Sequence, residues 1–295
     1  MINQTILMTD PNHIGVAGIN AYEDLSRGPQ KAAATEQFAG IQTALTAAGI
    51  AITQIPSPAN CQDGVYTANW AVTANGKALL SRLPNARQAE ESYAEQALAK
   101  LGFQTRRPTE VFSGQGDTLL FNDHEAILGY GYRTKLNPEL LDHFAWLGIT
   151  PIVVQAKPQK RFGLFNVRNK VSGLFDSYYY DIDLAVAVIA PNVLAVCLNA
   201  LTRQGRRAIH ALETRSHNPV TIIPVSESEA RDGFACNLVS TGETVVMPAT
   251  AEMPDGAPHL KAKLTQLGYT VVAVHNDQFK LTGGGIRCVS LTLNR

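Results

Sequence analysis

The sequence lacks the charge imbalance and the long apolar runs that mark several classes of protein. Its 295 residues include 25 Lys and Arg and 25 Asp and Glu, so the net charge at pH 7 is zero. A nucleic-acid-binding protein usually presents a basic excess, so nucleic acid is not expected as a partner. No apolar run approaches the roughly 18 residues of a membrane span, so a membrane is not expected as a partner either.

Cysteine is scarce and shows no paired spacing. The four cysteines, Cys61, Cys197, Cys236 and Cys288, form no Cys-x-x-Cys motif. A disulfide framework and a zinc ribbon are therefore not expected, and we expect neither a metal nor a cofactor. The N-terminal residues show no basic-then-apolar signal segment. Reduced thiols and a cytoplasmic location are the resulting expectation.

An early Gly-x-Gly-x-x-Gly phosphate loop, which would favour a doubly wound sheet, is also missing. Instead, a helix end followed by a glycine and a strand start recurs at Gly49, Gly102, Gly148 and Gly268. Glycine just past a helix suits the left-handed position there. A helical stretch at 208–213, without a clear glycine, fills the long gap before Gly268. The pattern predicts four clear units and one degraded unit of roughly 50–60 residues each.

Five units of this kind can close into a ring, which removes exposed sheet edges. We therefore predict an α/β fold, a five-fold pseudosymmetric α/β propeller, as a single domain of residues 1–295. The alternative is a doubly wound sheet. Strands are predicted at 5–9, 70–73, 78–81, 117–121, 126–130, 178–189, 194–197 and 244–247. Helices are predicted at 31–48, 88–101, 138–146, 203–213 and 257–267.

The segment 157–170 follows neither the helical nor the strand period and is basic. A solvated surface loop is the plain interpretation, because loops run over protein surfaces. The functional alternative is a lid or a docking patch, and we assign it to residues 157–173.

A run of three glycines at 283–285 precedes Cys288 near the C-terminus. Glycines allow the backbone to approach a ligand closely, and a thiol where such a loop meets a strand is a candidate nucleophile. Arg287 beside it is expected to favour the thiolate. The alternative is a buried cysteine beside a flexible turn, since free cysteines are often buried.

Polar residues also occur where turns meet strands in four stretches, at 63–70, 112–117, 129–134 and 178–184. In the last stretch, Asp181 and Asp183 would share one face of a strand. Two adjacent carboxylates are costly unless they bind a cation or share a proton, so we expect a raised pKa for Asp181, which would keep a proton near neutral pH. The alternative in each stretch is turn chemistry, with a residue such as Asp63 capping backbone groups.

Together with Cys288, these stretches resemble the guanidino-group-modifying superfamily of dimethylarginine dimethylaminohydrolases, arginine deiminases, arginine dihydrolases and amidinotransferases. The matching segments are Met8-Thr9-Asp10-Pro11 with Ile19-Asn20, the stretch from Asp63 to Asn69, Ser113 to Asp117, Gly131-Tyr132-Arg133-Thr134, and Gly283 to Cys288. The resemblance covers nearly the whole chain. It implies a five-bladed α/β propeller, which agrees with the repeat.

The resemblance implies a hydrolase that cleaves a guanidino C–N bond of arginine or a modified arginine through a covalent thiouronium on Cys288. Asp183 would hold the guanidinium nitrogens, and Arg133 would bind the substrate carboxylate. The other implied substrate-binding residues are Asp117, Asn69, Asp63 and Asn20. The partner is thus a small guanidino compound, and assembly into a homo-oligomer is left open.

Two positions depart from the pattern of the superfamily. Its catalytic segment reads His-x-Asp, with the histidine as general acid and base, and Asp181 stands in that place here. The glutamate that accompanies this histidine falls at Ser113. The two changes are coherent, because a carboxylate stabilises an imidazolium but repels an aspartate. We take Asp181 and Ser113, with Cys288, as the catalytic candidates. A pseudoenzyme that binds guanidino compounds and an amidinotransferase are the alternatives, although the retained Cys288 favours chemistry.

Overall fold

The computed structural model of the protein describes residues 3–162, 164–171 and 173–294. Its strands are β1 (Thr5–Thr9), β2 (Ala51–Ile55), β3 (Ala71–Ala74), β4 (Lys77–Leu80), β5 (Gln104–Arg106), β6 (Thr118–Leu120), β7 (Glu125–Gly129), β8 (Thr150–Val154), β9 (Lys160–Arg161), β10 (Phe165–Asn166), β11 (Val186–Ala190), β12 (Val193–Val196), β13 (Thr221–Pro224), β14 (Val239–Ser240), β15 (Thr244–Ala249), β16 (Thr270–His275) and β17 (Leu291–Thr292). Its α-helices are α1 (Lys31–Ala47), α2 (Ala89–Lys100), α3 (Pro138–Leu147), α4 (Arg203–Thr214), α5 (Glu227–Arg231), α6 (Pro258–Gln266) and α7 (Asp277–Lys280).

Five three-stranded sheets in the described part of the chain share one plan. In four of them an inner strand pairs antiparallel with a middle strand, a helix follows, and an outer strand pairs parallel with the middle one. The fifth sheet joins the two ends of the chain, since β17 pairs antiparallel with β1 and β1 pairs parallel with β2. The chain is thus a mixed α/β fold with a repeated sheet unit.

The glycines that define the repeat end helices as predicted. Gly49, Gly102, Gly148 and Gly268 have φ values of +87°, +88°, +78° and +91°, a region that favours residues without a side chain. Helix α4 ends instead at Arg215, with φ of −65°. The expected unit without a glycine is therefore the one that contains α4.

Each helix buries one stripe against its sheet. Helix α1 shows the pattern most simply, because Ala34, Phe38, Ile41 and Leu45 are buried at helical spacing. They pack in one cluster with β1 and with the loop that carries Cys288. Full burial of a side chain such as Phe38 contributes about 1.5–3 kcal/mol, so the outer helices hold the sheets in place around the inner strands.

Some of the inner strands, which are β3, β6, β11, β14 and β17, contact one another directly. Strand β11 contacts both β6 and β14, and β17 contacts β3. Short 3-10 helices precede three of them, at Thr67–Trp70, Gly114–Gly116 and Ile182–Leu184. Residues just before these strands contact one another across sheet units, since Asn69 donates to Asp181, Ile182 donates to Asp117, and Cys288 contacts Asp183.

The predicted strand at 178–189 is wrong in its first half. Residues 182–184 form a 3-10 helix, and the strand begins only at Val186. Asp181 lies at the N-cap of that turn, so Asp181 and Asp183 do not share a strand face. The turn forms because the side chain of Asp117 accepts a hydrogen bond from the Ile182 N–H (3.0 Å), a contact between two sheets that no local pattern reveals. The other predicted elements agree with the structure to within two residues at each end.

The basic segment 157–173 includes the antiparallel pair β9 and β10, and its residues 163 and 172 lie outside the described residues. Phe162, Leu164 and Phe165 are exposed, at 81%, 74% and 69% of their surface.

Among the residues that the structure covers, no helix has the length and apolar character needed to cross a bilayer.

Candidate active site

Each sheet unit places one polar side chain just before its inner strand. These residues are Asn69, Asp117, Asp183, Asn237 and Cys288. All are at most 3% exposed. The structure thus brings together four residues that the sequence analysis singled out, from segments far apart in the chain, and adds Asn237, which the analysis missed.

Cys288 is held between Asp183 and Asn237. Its Sγ lies 3.5 Å from Asp183 Oδ2 and accepts a hydrogen bond from Asn237 Nδ2 at 3.1 Å. Burial raises the pKa of the Cys288 thiol well above its usual value, and the charges of Asp183 and Asp181 raise it further. In the free protein the thiol therefore keeps its proton, and it donates a hydrogen bond to Asp183.

The charge of Arg287 favours the thiolate of Cys288, as expected, but the pKa of the thiol in the free protein is nevertheless raised. The guanidinium of Arg287 donates to Ser290 O (2.8 Å), Thr292 Oγ1 (3.2 Å) and Gln115 Oε1 (3.0 Å). Its hydrogen bonds are thus made on another side of the loop. Burial and two carboxyl charges outweigh its effect on the thiol.

Asp117 and Asp183 each have one carboxyl oxygen without a hydrogen-bond partner among the described residues, Oδ2 of Asp117 and Oδ1 of Asp183. Burial, and then the charge of Asp181, raises the pKa of Asp117 to about 8 and that of Asp183 well above its usual value. The sequence analysis expected the raised pKa at Asp181, whereas the carboxyl of the 181 and 183 pair whose pKa is raised by burial is that of Asp183. Buried carboxyls with free acceptor oxygens suit a ligand that is a cation with several N–H groups.

The two residues that depart from the superfamily pattern contact each other. Ser113 Oγ donates to Asp181 Oδ1 at 2.8 Å, and Asn69 Nδ2 donates to Asp181 Oδ2 at 2.8 Å. Gly116 makes room for this arrangement, because a Cβ there would lie 2.4 Å from Asn69 Nδ2 and 2.7 Å from Asp181 Oδ2. Asp181 is therefore fixed by hydrogen bonds to both of its oxygens.

A buried ion pair that the sequence analysis missed orients Asn69. Arg87 donates two hydrogen bonds to Glu90, at 2.8 and 2.7 Å, and one to Asn69 Oδ1 at 2.8 Å. Because Asn69 Oδ1 accepts from Arg87, its Nδ2 faces Asp181. Arg87 Nε also lies 3.6 Å from Asp63 Oδ2. In sequence, Arg87 and Glu90 resemble an ordinary surface pair at the start of a helix, so no local signal marks them.

Burial dominates the ionisation of Asp63. It raises the pKa of Asp63 to about 7, against the opposing charge of Arg87. One oxygen of Asp63, Oδ1, has no hydrogen-bond partner among the described residues. Asp63 is thus a third buried carboxyl near the site that keeps a proton in part at neutral pH.

The segment around Asn20 packs beside the glycine run that precedes Cys288. Asn20 Nδ2 donates to Glu23 Oε1 (2.6 Å) and to Thr282 O (3.1 Å). Arg133 donates to Ile19 O at 3.3 Å, and its guanidinium lies 4.0 Å from the ring centre of Tyr180. Asn20 and Arg133 thus lie in the same wall, and Glu23 is a further member that the sequence analysis missed.

No group of three or more His, Cys, Asp or Glu side chains suited to a metal ion occurs in the described part of the chain. The cluster is built from carboxyls, amides, a thiol and two guanidinium groups. Such a site can bind a cation by hydrogen bonds and present a thiol to it.

Comparison with known proteins extends over nearly the whole chain. The N(G),N(G)-dimethylarginine dimethylaminohydrolase of Mycobacterium tuberculosis is 25% identical over 291 residues, which are 97% of this chain and 85% of that protein. The bifunctional arginine dihydrolase/ornithine cyclodeaminase of a Nostoc species is 27% identical over 264 residues, 88% of this chain. The match covers only 33% of that relative, so this chain corresponds to about a third of the bifunctional protein.

Solved structures show the same fold. The N-terminal domain of ArgZ, covalently bound to a reaction intermediate, superimposes with a TM-score of 0.81 at 24% identity, over 97% of this chain and 96% of that domain. A dimethylarginine dimethylaminohydrolase carrying an adduct of S-methyl-L-thiocitrulline gives a TM-score of 0.70 at 20% identity, over 99% of both chains.

The family match covers the elements that carry the site. Residues 16–295 match the family described as N,N dimethylarginine dimethylhydrolase, eukaryotic. This range includes Asn20, Cys288 and the other polar residues of the cluster. The chain therefore belongs to the N,N dimethylarginine dimethylhydrolase family.

Proposed function

We propose that this protein is a hydrolase that cleaves a C–N bond in the guanidino group of arginine or a modified arginine. The observation that carries the proposal is the 3.5 Å contact between Cys288 Sγ and Asp183 Oδ2 inside a buried group of carboxyls. In this arrangement the proposed nucleophile would lie beside the group that would hold the guanidinium. The activities of the relatives, hydrolysis of dimethylarginine and of arginine, support the same reaction class.

The substrate would bind through charge pairing at both of its ends. The free oxygens of Asp183 and Asp117 accept hydrogen bonds from the guanidinium nitrogens. Arg133 pairs with the substrate carboxylate. The guanidinium of Arg133 exchanges its contact with the ring of Tyr180 for a bidentate contact with this carboxylate. Asn69, Asp63 and Asn20 line the pocket between these ends.

Substrate binding prepares the nucleophile. A bound guanidinium neutralises Asp183, and the charge of Asp183 is one cause of the raised pKa of Cys288. The cation also favours the thiolate directly. The thiolate then forms a C–S bond with the guanidinium carbon. The C–N bond breaks, and the nitrogen leaves with a proton as ammonia or an amine. Water adds to the thiouronium and the C–S bond breaks, which releases a ureido product and restores the thiol.

The protons for these steps come from the carboxyls around the thiol. Asp181 occupies the place of the superfamily histidine and acts as general acid and base, with Ser113 orienting it through the 2.8 Å hydrogen bond. Asp117, with its pKa near 8, holds a proton close by at neutral pH. A positioned acid and base contributes roughly 10²–10⁴-fold to such a rate.

The proposal includes a closed ring of five units within a single domain of residues 1–295. The shared sheet plan supports it, as do the contacts between inner strands and the pairing of β17 with β1. A ring would explain why polar residues from all five units meet at one place.

A second candidate function is a pseudoenzyme that binds guanidino compounds without turnover. The observation that favours it is the pair of hydrogen bonds from Ser113 and Asn69, which occupy both oxygens of Asp181. An oxygen that already accepts a hydrogen bond is less available to a leaving amine or to water.

One experiment separates these functions. The protein is incubated with arginine, dimethylarginine, agmatine or citrulline, and ammonia, methylamines, citrulline and ornithine are measured, with Cys288→Ala as the control. Product that depends on Cys288 supports the hydrolase. Binding of arginine without product in the wild type indicates the pseudoenzyme, and ornithine that forms only with an added amine acceptor such as glycine indicates an amidinotransferase. The absence of both binding and product would refute the guanidino site.

A further inference from the structure

A cavity of about 850 Å³ lies at the far ends of the inner strands. The polar residues of the candidate active site, Asn69, Asp117, Asp183, Asn237 and Cys288, are not among the residues that line the cavity. Its walls include Thr118–Leu120 of β6, residues 186–188 of β11 and residues 292–294. Arg287 lines the cavity and its neighbour Cys288 does not, so the two side chains of this loop meet different surroundings.

Arg287 lies in the wall of this cavity and is only 8% exposed. It follows the glycine run and immediately precedes Cys288, yet the two side chains face different partners. The hydrogen-bond acceptors of Arg287 are Ser290 O, Thr292 Oγ1 and Gln115 Oε1. All three are neutral, and in the described part of the chain no carboxylate forms a salt bridge with Arg287. A buried charge without a directly paired counter-ion is costly.

Thr118 supplies a second polar group in the same wall. Its side chain is fully buried, and its hydroxyl has no hydrogen-bond partner among the described residues. Buried hydroxyls normally have a partner. The wall of the cavity therefore contains a buried guanidinium without a salt bridge and a buried hydroxyl without a partner among the described residues.

The charges of the cavity wall favour an anion. Among the described lining residues the charged or titratable side chains besides Arg287 are Asp123, His124 and the thiol of Cys236. Asp123 and His124 are exposed in the turn between β6 and β7, where water and salt screen them. The charge that a buried ligand would meet is the positive one of Arg287.

We propose that this cavity is a second binding site, for a small organic carboxylate that pairs with Arg287 and accepts a hydrogen bond from Thr118. Carboxylate and guanidinium form two parallel hydrogen bonds, and Arg287 is one of the residues that line the cavity. The volume falls within the range of about 300–1,000 Å³ that is usual for small-molecule sites.

Occupancy of this site would act on Cys288. The positive charge of Arg287 attracts the thiolate of Cys288 and the carboxylate of Asp183. A carboxylate ion paired with Arg287 cancels part of that attraction, so the thiolate becomes less favourable. The bound anion therefore shifts the reactivity of Cys288 to higher pH, and it does so without contact with the guanidino pocket.

Malonate is a suitable probe, compared with potassium chloride at equal ionic strength. Two properties are measured: the midpoint of thermal unfolding, and the pH midpoint for alkylation of Cys288 by iodoacetamide, followed by peptide mapping. We expect malonate to raise both midpoints. Thr118→Val, which removes only the unpartnered hydroxyl, should weaken the apparent affinity for malonate by about three- to tenfold. Thr270→Val, at an exposed position of β16, is the matched control and should leave it unchanged.

Arg287→Gln gives a second test where the variant folds. It should show no response to malonate, and its alkylation midpoint without malonate should already lie at the higher pH. An absence of any malonate effect on the wild type would overturn the proposal. So would an effect that survives Thr118→Val and disappears in Arg133→Gln, because the anion would then occupy the guanidino pocket. Neither readout needs turnover, so an inactive protein would refute the proposed hydrolase and leave this site intact.

Discussion

Asn237 contacts Cys288 at two points. Its Oδ1 accepts a hydrogen bond from the Cys288 N–H at 3.2 Å, and its Nδ2 donates to Sγ at 3.1 Å. The backbone contact fixes the orientation of the amide, so the side-chain contact always presents a donor to the sulfur. Gly285 allows this approach, because a Cβ there would lie 2.5 Å from Asn237 Oδ1. Asn237 therefore stabilises the thiolate and opposes Asp183, which destabilises it.

Substitutions at these two neighbours of the thiol should have opposite effects. Asn237→Ala removes a donor to Sγ, so the pKa of Cys288 rises further and alkylation at pH 8 slows by about fivefold. Asp183→Asn removes a negative charge 3.5 Å from the sulfur, so the pKa falls and alkylation accelerates by about tenfold. Iodoacetamide labelling with peptide mapping measures both, and Cys61 in the same sample is the internal control. Equal shifts of the same sign would contradict this account of the thiol.

Replacement of Asp181 tests its role as acid and base. Asp181→Asn keeps the size of the side chain and a partner for Ser113 but cannot exchange a proton, so turnover should fall by about 10²-fold or more while arginine still binds. Ammonia release measures the first effect and calorimetry the second. A fully active Asp181→Asn protein would show that another group, such as Asp117, transfers the proton.

If the wild type binds guanidino compounds without turnover, the superfamily pair should restore chemistry. Asp181→His combined with Ser113→Glu supplies an imidazole and a carboxylate that stabilises its charged form. Asp181→His alone should release less ammonia, because its imidazolium would lack that partner. An inert double variant and an inert wild type, neither of which binds arginine, would exclude the guanidino pocket.

Binding of a guanidinium should strengthen as the pH rises from 6 to 8. The pKa of Asp63 is raised to about 7 and that of Asp117 to about 8, so below these values a bound cation must displace protons. The affinity should then rise by up to about tenfold per pH unit for each proton released, and it should level off above about pH 8. Calorimetry of arginine with Cys288→Ala measures this, and Asp117→Asn should reduce the slope. An affinity that is flat over this range would show that these carboxyls are already charged.

The glycine run should tolerate no side chain at Gly284. A Cβ there would lie 2.1 Å from Cε1 of Tyr66, and the hydroxyl of that ring is held by hydrogen bonds to Thr282 Oγ1 and Phe279 O. Gly284→Ala should lower the free energy of unfolding by about 1–3 kcal/mol. Gly40→Ala is the control within α1, where the nearest atom would be 3.8 Å away. It should raise that free energy by up to about 1 kcal/mol. Urea unfolding measures both, and equal losses would contradict the packing argument.

Residues that the sequence analysis missed share one position in the repeat. Asn237 lies two residues before β14, as Asn69 lies two residues before β3. Alignment of the repeat units would therefore have indicated Asn237 as a site residue. Arg87 has no such signal, because its importance comes from Asn69 and Asp63, which it meets only after the chain has folded.

The sequence by itself determined the ends of α1, α2, α3, α4 and α6, the inner strands β3 and β6, and the identity of most side chains in the cluster. It did not indicate the inner strand β14 or the short helices α5 and α7. The features that it determined follow from local causes, since a glycine with positive φ ends a helix and an alternating apolar run forms a strand. Tertiary structure alone decided that Asp181 and Asp183 lie on a 3-10 turn, that Arg287 and Cys288 face opposite sides of one loop, and that the thiol keeps its proton. Each of these three outcomes depends on burial and on distances between different sheet units. Burial and long-range distances are not encoded in the neighbouring residues.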